Sequence, residues 1–239
     1  MAPKVFALLL ILVSAASATA PAGTYEALLS RYAKPDGVRY RAWKQSTEDT
    51  QALANLARTM ATLPVPGDPA TAKAFLINAY NIHVLSGILA AYPISGVRDI
   101  APNFGFFSQA RFQIAGQPVS LNDLEKKHLL ATFRDPRIHF AINCASRSCP
   151  PLRAEPYDPA RIEAQLNDAA RRFLASPLGA RPDGKDNPWL FSEIFNWYAA
   201  DFGGQAGVRT FLNQHLPKPL PTDTHIGFQP YDWSLNESP

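Results

Sequence analysis

Between Arg137 and Arg153 the chain reads R-I-H-F-A-I-N-C-A-S-R-S-C-P-P-L-R, which gathers both of its cysteines, one of its five histidines and three arginines. An apolar run that breaks into small, polar and thiol residues is how a strand hands over to a functional loop. Two chemistries fit Cys144 and Cys149. The expected one, for an exported chain with two closely spaced cysteines, is a local disulfide, whose short loop would restrict the unfolded chain by only ~2 kcal/mol in the chain-entropy model. The other makes Cys144 a thiolate nucleophile, with His139 as the nearest candidate base. A zinc site needs four ligands, and C-x4-C with His139 offers three at an unusual spacing, so no metal and no cofactor is assigned.

A second polar group lies in F-L-I-N-A-Y-N-I-H-V-L, Phe75 to Leu85. Asn78 and Asn81 share one face of a helix that otherwise has no wet side. A buried amide left unpaired costs about 1–3 kcal/mol. Asn78 and Asn81 therefore either clamp a neighbouring backbone or line a pocket and orient a ligand. Asn143, Ser148 and Glu125 complete the set of ligand-contact candidates, although Glu125 equally suits a solvated helix face. His83 reads as a core histidine. His225 and Asp232 follow Cys144 in a Cys-His-Asp order, which is weak evidence in a chain of this length.

The elements that must position these groups are mostly helical. Helices are predicted over Thr24 to Ala33, Thr47 to Leu63 and Ala70 to Ala91, the last apolar nearly all round and therefore central. Val38 to Arg41 reads as a strand, and Phe112 to Val119 as a hairpin about Gly116. Ser120 opens a helix that carries Glu125 and ends near Phe133. Ile138 to Cys144 reads as a strand, whose alternation would put Cys144 on one face and His139 on the other. Asp158-Pro159 is a helix start, with Ile162, Leu166, Ala169 and Phe173 as the buried stripe. Helices from Ser192 to Phe202 and Val208 to Leu216 follow. The aromatic end, Tyr231 to Asn236, is expected to pack into the core. The expected fold is α+β: a helix-dominated single domain over 19–239, with a small β-sheet around a long buried central helix.

Composition bounds the function. The 239 residues are 46% apolar and 18% charged, which favours a folded core over disorder. The net charge of +3 is spread out, which argues against a nucleic-acid partner. Lys4, the apolar run Val5 to Val13 and the small residues up to Ala18 read as a signal peptide over 1–18, and the chain as exported to a periplasmic or extracellular space. Ala74 to Ala91 is interrupted by Asn78, Asn81 and His83, so it is read as a buried helix and no transmembrane segment is expected.

Several motifs in order resemble the family catalogued as domain of unknown function 547. They are Asp36-Gly37-Val38-Arg39-Tyr40, Ala74 to Asn81, Ser120 to Glu125, Asp135 to Pro150, Ser192 to Phe202 and the closing Y-D-W-S-L-N, Tyr231 to Asn236. The resemblance spreads over most of the chain and implies no activity. The family pattern often has a histidine after the glutamate. Here that position is Lys126, with His128 nearby, which removes a histidine base from that helix.

Two functions follow. The first is binding of a small molecule or peptide by the Asn78/Asn81 helix and the Cys144 to Pro150 loop, without turnover. The second is a thiol hydrolase or acyltransferase of papain- or transglutaminase-like logic. In both, the Asn helix, the Glu125 helix and the Cys144 loop are expected to meet at one concave site.

Overall fold

The computed structural model describes residues 22–183 and 188–239, and the expected signal peptide, 1–18, lies outside the described residues. The architecture is α+β and dominated by helices, arranged around the long helix Pro69–Ala91. Asp68 caps this helix by accepting the Thr71 N–H at 2.9 Å, and Pro69 occupies the first turn, where a missing N–H is harmless. Leu76, Ile77, Tyr80, Ile82 and Leu85 are all at most 3% exposed and are spread round every side of the helix. Each such side chain contributes about 1.5–3 kcal/mol on burial. By length and composition this helix could cross a membrane, but it is mostly buried inside the protein.

Three elements cover it. Helix Thr47–Thr62 is capped by Ser46, which accepts the Asp49 N–H, and it buries Leu53, Leu56 and Met60. The hairpin Phe112–Ile114/Gln117–Val119 turns through Ala115 and Gly116, both at positive φ, as a type I′ connection demands. Its Gly116 N–H donates to the Ala61 carbonyl and so ties the hairpin to that helix. The helix over 121–133 follows, capped by Ser120. It is α-helical at its ends but π-helical over Leu124–Leu130.

A second, aromatic core stands beside the first, built on Phe140, Phe173, Phe191, Phe195 and Phe211. Helix Ile162–Leu174 supplies its buried stripe of Ile162, Leu166, Ala169 and Phe173 to these two cores. A three-stranded sheet closes it, with Pro188–Ser192 antiparallel to Ala180–Pro182 and parallel to His225–Gln229.

Three local expectations are corrected. Ile138 to Cys144 is not a strand: Pro136–Phe140 is a 3-10 helix, capped by Asp135 accepting the Arg137 N–H. Proline at its first position fixes φ for a helical turn, and Ile138 and Phe140 are drawn into different cores. The strand at Val38 shrinks to Gly37–Val38, because Tyr40–Gln45 is a short helix whose Tyr40 and Trp43 are fully buried. Asp158-Pro159 does not start the next helix. Asp158 accepts the Ala160 N–H in a turn, and the helix begins at Ile162. The parallel pair of strands had no signature in the sequence, since its partners lie far apart and alternate weakly.

Candidate functional site

Cys144 opens onto a cavity of about 260 Å³ between the two cores. Tyr80 of the central helix, Glu125, His139, Cys149, Trp197, Tyr198, Tyr231 and Trp233 share its wall. The three segments expected to meet do meet, through Glu125 and Cys144 as the sequence suggested, and on the central helix through Tyr80 in place of the asparagines.

The thiol is placed by a tight turn. Ala145 follows it at φ 62, a left-handed conformation unusual for alanine, and its N–H donates to Asn143 Oδ1 at 2.9 Å. The segment 231–236 then straps the loop from outside. Asn236 N–H donates to Ala145 O, Arg147 N–H to Ser234 O and Ser148 N–H to Asp232 O. Within this frame Cys144 Sγ lies 2.9 Å from Ser146 Oγ and 3.3 Å from the Tyr231 hydroxyl. Burial works against a thiolate here, but hydrogen bonds from Cys149, Ser146 and Tyr231 outweigh it and bring the Cys144 thiol down to about 7. Cys149 goes the other way: burial, and the neighbouring Cys144 with its negative charge, push it well up.

The expected disulfide is not present in the structure, where both cysteines are free thiols. The turn directs Cys149 Sγ at the Cys144 backbone N–H, 2.9 Å away, while Cys144 Sγ faces Ser146 and Tyr231.

On the same cavity wall stands a string of acid–base groups. His139 Nε2 is 2.9 Å from Asp201 Oδ2, and Nδ1 is 3.8 Å from Glu125 Oε1. The imidazole is buried and packs on the Tyr198 ring, centroids 4.1 Å apart. Glu125 is not a solvated carboxylate. It is 7% exposed and lies in the π-helical stretch. Such stretches displace a side chain from the regular helical face and recur at functional sites. Burial raises its pKa, opposed by His139 and the Tyr198 hydroxyl. The outer carboxylate, Asp201, stands behind His139 and borders a neighbouring surface hollow with Lys126 and Arg134 instead of the Cys144 cavity. His139 thus shares the Cys144 cavity, but both its nitrogens face carboxylates.

The remaining candidates have structural employment. Asn81 donates to Ala141 O at 3.0 Å and accepts the Asn143 N–H at 2.8 Å, holding the cysteine loop from beneath. Asn78 makes the same pair of bonds with Tyr157 and faces a different hollow. Asn143 donates to Pro150 O and accepts from Ala145, and Ser148 accepts the Asp232 N–H. Asn81, Asn143 and Ser148 build the site without lining it as ligand groups, and Asn78 stands outside it. His83 is a core histidine, packed on Phe112 and pushed down to about 4 by burial. His225 is exposed on its strand and Asp232 is engaged by Ser234, so they form no triad with Cys144.

Asp201 and Tyr231 were legible only as aromatic-acid anchors, and Ser146, Tyr198 and Trp197 carried no separate signal. The W-Y-x-x-D run, Trp197 to Asp201, was the available clue, since a helical turn puts tyrosine and aspartate on one side. Among the described residues no group of three or more His, Cys, Asp or Glu side chains has the geometry to hold a metal ion.

The model of the family described as Protein of unknown function, DUF547 matches residues 68–174. The resemblance read from the motifs therefore holds across the central helix, the Glu125 helix and the cysteine loop. No curated protein and no solved structure matches the chain.

Proposed function

Starting from this likeness to a family without an assigned activity, we propose that the protein is a thiol-dependent acyl hydrolase or acyltransferase with Cys144 as nucleophile. The observation that carries the reading is the juxtaposition of Cys144 Sγ, held by two hydroxyls, with Glu125 and His139 on one cavity wall, His139 being backed by Asp201. Hydrogen bonds from Cys149, Ser146 and Tyr231 draw the Cys144 thiol down despite its burial, which favours the nucleophilic thiolate without a histidine in contact.

The thiolate adds to the carbonyl carbon of an ester or thioester, and the tetrahedral intermediate collapses to a Cys144 thioester. The bond to the leaving oxygen or sulfur breaks, and the leaving group takes a proton from the acid–base string, for which Glu125 in its neutral form is suited. Water, or an acceptor hydroxyl or amine, then attacks the thioester. The S–C bond breaks, thiolate returns, and the proton lost by the nucleophile restores the string. The Tyr231 hydroxyl, 3.3 Å from Sγ, supplies a donor to the developing oxyanion.

Simple ligand binding through the asparagines loses ground, because their amides are spent on backbone groups. The test is a panel of p-nitrophenyl esters and acyl thioesters, with intact-mass analysis of the protein. The expected result is turnover together with an acyl adduct on Cys144, both abolished in Cys144→Ala. Undiminished turnover in that variant, or neither turnover nor adduct across the panel, overturns the reading.

A further inference from the structure

The mouth of the cavity carries an aromatic shelf with a cation upon it. Trp233 packs against Phe104, Tyr231 and Trp197, with centroids 4.7, 4.5 and 5.8 Å away. All four rings line the cavity, and Trp197 remains 48% exposed. Arg98 stacks on this shelf, its guanidinium 4.8 Å from the Phe104 centroid and 5.3 Å from that of Trp233. Exposed and stacked, it makes no hydrogen bond and no ion pair among the described residues, so its planar fork of donors is unspent.

The backbone that sets the shelf is strained. Asn103 and Phe104 lie at φ 53 and φ 56, two successive left-handed residues, and the second is a bulky aromatic. Such conformations cost on the order of 1–3 kcal/mol each and persist where packing over-determines them. Here the strain turns the Phe104 ring beneath Arg98 and against Trp233.

The nearby acids do not answer this cation. Asp99 is turned back to accept the Ser95 and Gly96 N–H groups. Asp232 accepts from Ser234 and faces Arg147 at 4.0 Å. Glu125 lies deep in the cavity, where burial favours its neutral form. An exposed guanidinium presented on aromatic faces is suited to pair bidentately with a carboxylate whose apolar body rests on the same rings.

We propose that Arg98 and the shelf of Phe104, Trp197 and Trp233 form a recognition subsite for a free carboxylate on a ligand with a flat apolar body. The subsite deepens the acyl-transfer reading by naming its substrate class: an acyl compound that is anionic at one end and aromatic or similarly flat beside it.

Binding, and not turnover, tests this, so that it stands or falls apart from the nucleophile. N-acetylphenylalanine and its neutral counterpart N-acetylphenylalaninamide are titrated calorimetrically into the wild-type protein, Arg98→Gln and Cys144→Ala. The acid is expected to bind about tenfold more tightly than the amide to wild type and to Cys144→Ala, the scale of one charge-assisted pair. Arg98→Gln, a surface change that leaves the thermal midpoint in place, is expected to bind both equally. Equal affinities in wild type, a preference that survives Arg98→Gln, or no binding of either compound overturns the subsite. A preference retained by a protein inactive on every ester would sink the acyl-transfer reading and leave the subsite intact.

Discussion

The two sulfurs of the Cys144 loop experience opposite pressures, one drawn toward ionisation by three hydrogen bonds and the other held neutral by burial. Iodoacetamide should therefore alkylate Cys144 much faster than Cys149, and the Cys144 rate should climb with pH through a midpoint near 7. Equal slow labelling of both would show that the hydroxyls do not activate the thiol. Glu125 makes a second expectation. Its folded pKa is raised, so the stability it contributes is complete below the ordinary carboxyl value and is lost as pH rises through the folded one. Glu125→Gln removes the ionisation, so its thermal midpoint should exceed wild type at pH 8 and match it at pH 4. Proton transfer to the leaving group should suffer at least about tenfold. A midpoint that drops at pH 8 would mean the carboxylate is a stabilising partner of His139 and not a strained acid.

At the scale of elements, the site depends on a helix whose Asn78 and Asn81 amides are spent on backbone groups. Asn81 satisfies one carbonyl and one N–H of the cysteine loop, and Asn81→Ala leaves both unmet at about 1–3 kcal/mol apiece. A loss of about 2–4 kcal/mol in urea unfolding is expected, with slower labelling of Cys144 as its loop loosens. Wild-type stability in this variant would show that water replaces the amide. The same helix shows why some features were legible and others were not. Its length and all-round apolarity announce a central element, and the Ser120 cap announces the next, whereas Pro69 reads as a chain breaker and proves to be in the first turn. Nothing in L-E-K-K-H-L-L discloses a π-helical stretch, because the extra residue in the turn is a response to packing that a local pattern cannot carry. Ile138 to Cys144 misled for a related reason. A short apolar run reads alike as a strand or as residues shared between two cores, and tertiary burial made the choice.

Across the whole molecule the cavity is a joint between two cores, closed by a strap from the far end of the sequence. Leu235 and Asn236 are buried, Val38 N–H donates to Asn236 O, and Ser238 N–H returns to Val38 O. The aromatic spacing of Tyr231 and Trp233 made this anchoring readable. That the strap also supplies a hydroxyl to the thiol was not readable, since the two lie 87 residues apart and no local motif links them. Removing residues 230–239 should lower the thermal midpoint by several degrees, at about 2–4 °C for each kcal/mol lost. It should also abolish the preferential labelling of Cys144. A truncated protein that keeps fast labelling would mean that Ser146 and Cys149 suffice.

The strap gives the reactive group a timetable. A chain is made from its amino end, so Cys144 and His139 leave the ribosome well before Tyr231 and Trp233 exist. Until the strap arrives, the thiol lacks the Tyr231 hydroxyl and the backbone clamps that hold its turn, and it behaves as an ordinary cysteine with a pKa of about 8.5. Whatever reactivity depends on this framework is thereby postponed to the final moments of folding, when the surrounding wall is complete.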